Sequence, residues 1–118
     1  MKILLVEDFP AHIEWFRQHF VGHDITWTDE PLEAITYLAA GHHFDRLYLD
    51  HDLGKEPRAG RDVATWLIQH PKILPKLDIV THTTNHVSGP KIKQELRAAG
   101  RPVRWRPFPD LVAELEPR

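Results

Sequence analysis

The sequence predicts a three-layer α/β sandwich around one five-stranded parallel sheet, and three observations carry that prediction. Short apolar runs alternate five times with segments of helical spacing. Glycine or proline punctuates most of the helical segments. At 118 residues the chain has room for one such domain and its core, but not for two.

Ile3-Leu4-Leu5-Val6 is a continuous apolar run, as expected of a strand buried on both faces. Ile13, Phe16 and Phe20 follow at helical spacing, and Gly22 ends that helix. Ile25-Thr26-Trp27 reads as a second strand. Pro31 suits the first turn of a helix carrying Leu32, Ile35 and Leu38, which ends near Gly41. Leu47-Tyr48-Leu49 is the third strand and runs into Asp50. A polar, glycine-bearing loop covers His51 to Gly60. The next helix holds Val63, Trp66 and Leu67 and ends before Pro71. Ile79-Val80-Thr81 makes the fourth strand, and Ile92 and Leu96 face inward from a helix that stops at Gly100. Val103-Arg104-Trp105 is the fifth strand, and Leu111, Val112 and Leu115 belong to a last helix. Strands alternating with helices require right-handed crossovers and a parallel sheet. The flavodoxin-like (βα)5 strand order 2-1-3-4-5 is the natural one at this size, with residues 1–118 as a single domain.

Composition narrows the function classes. Hydrophobic residues make up 42% and charged residues 27%, ordinary values for a soluble globular protein. Cysteine is absent, which excludes disulfides, Cys-ligated zinc and a thiol nucleophile. No apolar run reaches the length of a membrane span, and the first one ends at Glu7-Asp8, too soon for a signal peptide. A cytoplasmic protein is expected. The net charge of −2 excludes a polycation, yet Lys91, Lys93, Arg97, Arg101, Arg104 and Arg106 are opposed only by Glu95 between residues 91 and 106. A solvated surface is the plainer reading of that segment; guidance of a nucleic-acid end is the other.

Open parallel sheets bind ligands beyond the carboxyl ends of their strands, where the strand order reverses. In the order 2-1-3 that crevice lies between the first and third strands, which end in Glu7-Asp8 and Asp50. Carboxylates converging there raise one another's pKa unless a cation neutralises them. A hard divalent ion such as Mg²⁺ meets that need and retains waters that a phosphate can replace.

Lys2 to Asp8 (KILLVED), Leu47 to Leu53 (LYLDHDL), Ile79 to Thr83 (IVTHT) and Arg106-Pro107-Phe108 together resemble the receiver domain of two-component response regulators over nearly the whole chain. The resemblance implies that Glu7 and Asp8 hold Mg²⁺ and that Asp50 is a phosphoryl acceptor or a third ligand. Thr81 or Thr83 would fill the position of a phosphate-contacting hydroxyl; their spacing of two places both on one strand face, so the sequence does not choose between them. Arg106 stands where the family carries lysine; it keeps the charge but offers a fork rather than a point. The chain also departs from that pattern in Asp50-His51-Asp52-Leu53-Gly54 and in His82-Thr83-Thr84-Asn85.

These two segments are similar to those of a receiver offshoot, the cyclic-phosphate-processing receiver domains, although His86 replaces the proline that often follows the asparagine. That resemblance implies action on 2′,3′-cyclic phosphate ends of RNA or nucleotides. His51 and His82, at the ends of neighbouring strands, would move protons. Asp52 would add to the metal ligands Glu7, Asp8 and Asp50, and Thr83 or Thr84 with Arg106 would hold the phosphate oxygens. His12, His19, His23, His42, His43 and His70 fall on helices or connections away from the inferred crevice and are assigned no role. The alternative is a stand-alone receiver phosphorylated on Asp50 by a histidine kinase, signalling through an output protein.

Overall fold

The computed structural model describes residues 1–50 and 59–116. Five strands, β1 (Lys2–Val6), β2 (Asp24–Thr28), β3 (Arg46–Leu49), β4 (Asp78–Thr81) and β5 (Val103–Trp105), alternate with five helices. These are α1 (Pro10–His19), α2 (Pro31–Ala39), α3 (Ala59–Gln69), α4 (Ser88–Ala98) and α5 (Phe108–Leu115). The strands form one sheet of order β2-β1-β3-β4-β5, and all four pairings are parallel. The expected architecture and order are therefore observed. One boundary differs: α3 begins at Ala59, so the loop expected to run to Gly60 gives way to helix sooner.

The apolar runs sort themselves across the sheet by alternation. Leu4, Val6, Leu47, Leu49 and Ile79 face α2, α3 and α4, where Leu38, Leu67, Ile92 and Leu96 meet them. Ile3, Leu5, Tyr48 and Val80 face the other way, onto Phe16 and Phe20 at α1 and Leu111 of α5. Prolines at the first helical positions open α1 and α2, where a missing N–H costs nothing. After α4 the chain reverses at Gly100, whose φ of +83° is favourable without a Cβ.

One charge of the positive segment near the carboxyl end is internal, and the others lie at the surface or are half-buried. Arg101 is 3% exposed, and its guanidinium donates to the backbone oxygens of Leu67, His70, Ile73 and Leu74, closing the connection from α3 to β4. Arg97 donates to the Val103 carbonyl, and Arg104 joins Arg46 on Asp78. Arg101 thus serves the fold, and Arg104 is paired with an acid, whereas Lys91 and Arg97 stay exposed. No helix among the described residues is long and apolar enough to cross a membrane.

Candidate functional site

The register of the sheet builds the site. Val6, Leu49 and Thr81 form the last paired row across β1, β3 and β4. The ladder then continues one step further: the Asp50 N–H donates to the Val6 carbonyl (3.0 Å) and the His82 N–H to the Leu49 carbonyl (3.2 Å). Glu7, Asp50 and His82 are thus three neighbours in the next row, at the carboxyl edge and astride the reversal between β1 and β3. Alternation turns them to the side of Leu5, Tyr48 and Val80, under α1 and α5. One ligand atom from each lies within 4.8 Å of the others.

Glu7 is fully buried and held from every side. Its N–H donates to the Thr28 carbonyl (3.1 Å), and its own carbonyl accepts the Trp27 indole N–H (2.8 Å). Oε2 accepts the Asp8 N–H at 3.2 Å, while Oε1 is bonded to Nδ1 of His12. His12 reaches it because α1 begins two residues before, at Pro10, just past the end of β1, so its first turn sits over the carboxyl edge of the sheet. The ring is stacked on Phe108 (centroids 3.7 Å apart, 22° between planes) and meets the edge of Phe9. A carboxylate behind one ring nitrogen fixes the orientation and tautomer of an imidazole, leaving the other nitrogen for exchange.

His82 is a different kind of histidine. It is 1% exposed, lies among the rings of Phe16, Tyr48 and Phe108, and neither ring nitrogen has a hydrogen-bond partner. Its Nε2 stands 3.5 Å from Oε1 of Glu7, beyond good hydrogen-bond length. Burial pushes its pKa down to about 4, against the pull of the Asp50 charge and with a further push from His12. The ring is therefore neutral at pH 7, and its approach to Glu7 is not an ion pair. It offers a lone pair and not an acidic proton.

The remaining expected residues fall in distinct places. Asp8 is half-buried and borders a groove of about 440 Å³ with Glu14, Arg17, Trp27 and Asp29. Thr83 lies past the end of β4, so the expectation that it shares a strand face with Thr81 is corrected. The Thr83 hydroxyl accepts the Asn85 N–H, and the Asn85 side-chain oxygen accepts the N–H groups of Val87 and Ser88, closing the entry to α4. The Thr81 hydroxyl is buried and has no partner. Arg106 is turned toward Glu114 of α5, 2.9 Å away, and the Trp105 carbonyl. His51 and Asp52 lie outside the described residues.

One reading from the sequence is overturned. His12, expected among the histidines remote from the crevice, is bonded to the central carboxylate. A usable signal existed: a residue in the first turn of the helix after β1 lies at the carboxyl edge by construction.

The donor set fits a divalent cation, because a buried, unpartnered imidazole nitrogen faces two carboxylates. Glu7, Asp50 and His82 are the described residues that would hold one.

Comparison with known proteins bears on the family and the fold. The family model for the cyclic-phosphate processing receiver domain matches residues 2–98. Among solved structures, the signal receiver domain of a putative LuxO repressor protein from Vibrio parahaemolyticus superposes with a TM-score of 0.67 at 21% identity, covering 96% of this chain and 85% of its own. A CheY-like receiver domain protein from Methanospirillum hungatei gives 0.63 at 20% identity, over 96% and 88%. The signal receiver domain of an HD domain-containing protein from Pseudomonas fluorescens gives 0.71 at 18% identity, over 97% and 79%. At these identities the likeness concerns the fold. No curated protein sequence matches the chain.

Proposed function

The chain belongs to the cyclic-phosphate processing receiver domain family, and from that premise we propose that it binds 2′,3′-cyclic phosphates of nucleotides or RNA ends and opens them by hydrolysis. One observation carries the reading: Glu7, Asp50 and His82 converge at the strand ends, with His12 bonded behind Glu7. A relay that only accepts a phosphoryl group on Asp50 needs neither histidine. Hydrolysis of a strained phosphodiester needs a base for water and a proton for the departing sugar oxygen.

In this reading the water oxygen bonds to phosphorus, the bond from phosphorus to one sugar oxygen breaks, and that oxygen leaves as a hydroxyl. A divalent cation supplies charge neutralisation for the phosphate when bound, with Glu7, Asp50 and His82 as its holders and Asp8 and Asp52 as further acids of the set. His12, oriented by Glu7, and His51 handle the protons, because the neutral, enclosed ring of His82 is a poor acid at pH 7. Neither threonine is poised for a phosphate oxygen as it stands: Thr81 is buried in the row of Val6 and Leu49, on the sheet face away from Glu7, Asp50 and His82, and the Thr83 hydroxyl is engaged at the entry to α4. Arg106 contributes from the rim once it exchanges Glu114 for phosphate.

The test is incubation of the chain with 2′,3′-cyclic AMP and a divalent cation, followed by separation of the nucleotide products. The wild type is expected to yield a monophosphate, and His12→Ala and Asp50→Asn to slow that release by about 100-fold or more, as loss of acid–base or charge-stabilising groups does. Absence of both binding and turnover with Mg²⁺, Mn²⁺ and Zn²⁺ contradicts the proposal.

A further inference from the structure

We infer that the cation held by Glu7, Asp50 and His82 is a first-row transition ion such as Mn²⁺ or Zn²⁺, with Nε2 of His82 as a direct ligand. This deepens the functional proposal, resting on its cation site: it names the kind of metal and the ring nitrogen that binds it.

Two observations carry it independently. The first is the convergence of two carboxylates and one imidazole, each offering an atom within 4.8 Å of the others. The second is the state of His82 itself. A ring that is 1% exposed, with no hydrogen bond at either nitrogen, leaves two polar atoms unsatisfied in a packed interior. Buried polar groups are nearly always paired, and each unpaired one needs an explanation. The aromatic walls of Phe16, Tyr48 and Phe108 explain what fills the rest of the shell, but they satisfy neither nitrogen. A metal ion between His82 and the two carboxylates satisfies Nε2 directly.

The donor types then select the ion. Mg²⁺ takes oxygen ligands almost exclusively and demands a regular octahedron of them. An imidazole nitrogen favours Mn²⁺, Zn²⁺ and their neighbours, with affinity rising along that series. His12 completes the arrangement, since ligating groups are typically oriented by a second hydrogen-bonded shell, and its bond to Glu7 is of that kind.

The test uses the full chain, freed of metal by chelator and kept free of any phosphate compound. Loaded with Mn²⁺, the wild type is expected to show nitrogen hyperfine coupling from one imidazole in pulsed electron paramagnetic resonance. That coupling should vanish in His82→Gln and persist in His42→Ala/His43→Ala, which removes the exposed adjacent pair. Calorimetry should show Mn²⁺ affinity falling by about 10-fold or more in His82→Gln, with weaker Mg²⁺ binding little changed. Should that variant not fold, ¹⁵N-labelled wild type gives the same answer: Zn²⁺ must move the ring-nitrogen resonances of His82. Absence of nitrogen coupling, coupling that survives His82→Gln, or His82 resonances unmoved by Zn²⁺ would each overturn the inference. Turnover of cyclic nucleotide with Mg²⁺ in a protein lacking nitrogen coupling overturns this inference alone. Nitrogen coupling in a protein inert toward cyclic phosphates overturns the functional proposal alone.

Discussion

Enclosing an imidazole among three aromatic rings, with neither nitrogen hydrogen-bonded, makes the protein sensitive to acid at one residue. The pKa of His82 falls from its ordinary 6.5 to about 4 on folding, chiefly through burial. Below pH 6.5 the unfolded chain binds a proton there that the folded chain refuses, so this contribution to stability is full above pH 6.5 and lost as pH falls toward 4. A shift of this size corresponds to about 3 kcal/mol over that window. Chemical denaturation of the metal-free chain at pH 7.5 and 4.5 should show this loss in the wild type and a smaller one in His82→Gln. Equal pH dependence of the two would contradict the account of His82. The sequence identified His82 through its position after a strand and its motif, and the register explains why the motif was informative: His82 is the next step beyond Thr81, beside Asp50. His12 escaped because a residue five positions after Glu7 carries no motif. Only the start of α1, fixed by the turn before Pro10, brings it back over the carboxylate.

Two connections between elements depend on single residues whose importance periodicity does not display. Arg101 follows α4 and looks like one more charge in a basic stretch, yet its guanidinium gathers four carbonyls from the end of α3 and the turns before β4. One of them belongs to Leu74, which holds the left-handed conformation at φ +43° that a branched side chain seldom adopts. Arg101→Met keeps the apolar stem but leaves those carbonyls without a donor, and should cost about 3 kcal/mol in denaturant unfolding. A loss below 0.5 kcal/mol, the range of ordinary surface changes, would contradict the clamp. Gly89, in the first turn of α4, has a different reason to be small. A Cβ there would fall 2.4 Å from the indole of Trp105, whose N–H donates to the Thr83 carbonyl. Gly89→Ala must displace the ring and weaken that bond, an overpacking cost of about 1–3 kcal/mol. Near-ultraviolet circular dichroism should register the moved tryptophan; an unchanged spectrum and midpoint would refute the close approach.

At the scale of the molecule, the fold was legible because each strand carries its burial on its face. Continuous apolar runs in β1 and β3 announce a sheet covered on both sides, and glycines and prolines mark the helices between. Strand order then located the site before any side chain was considered, since only one reversal exists in 2-1-3-4-5. Chemistry was less legible, because the same strand ends serve a phosphoryl relay or a hydrolytic pocket depending on what surrounds the acids. In the described residues those surroundings are His82 in the row of Asp50 and His12 against Glu7, and the proposed handling of a phosphodiester rests on them. The most direct test of that claim is ³¹P nuclear magnetic resonance of 2′,3′-cyclic AMP mixed with the wild-type chain and a divalent cation. The account predicts that the cyclic diester signal decays into that of a monoester, and that it persists with Asp50→Asn. A cyclic signal unchanged in position, width and area, with acetyl phosphate instead placing an acyl phosphate on Asp50, would contradict it.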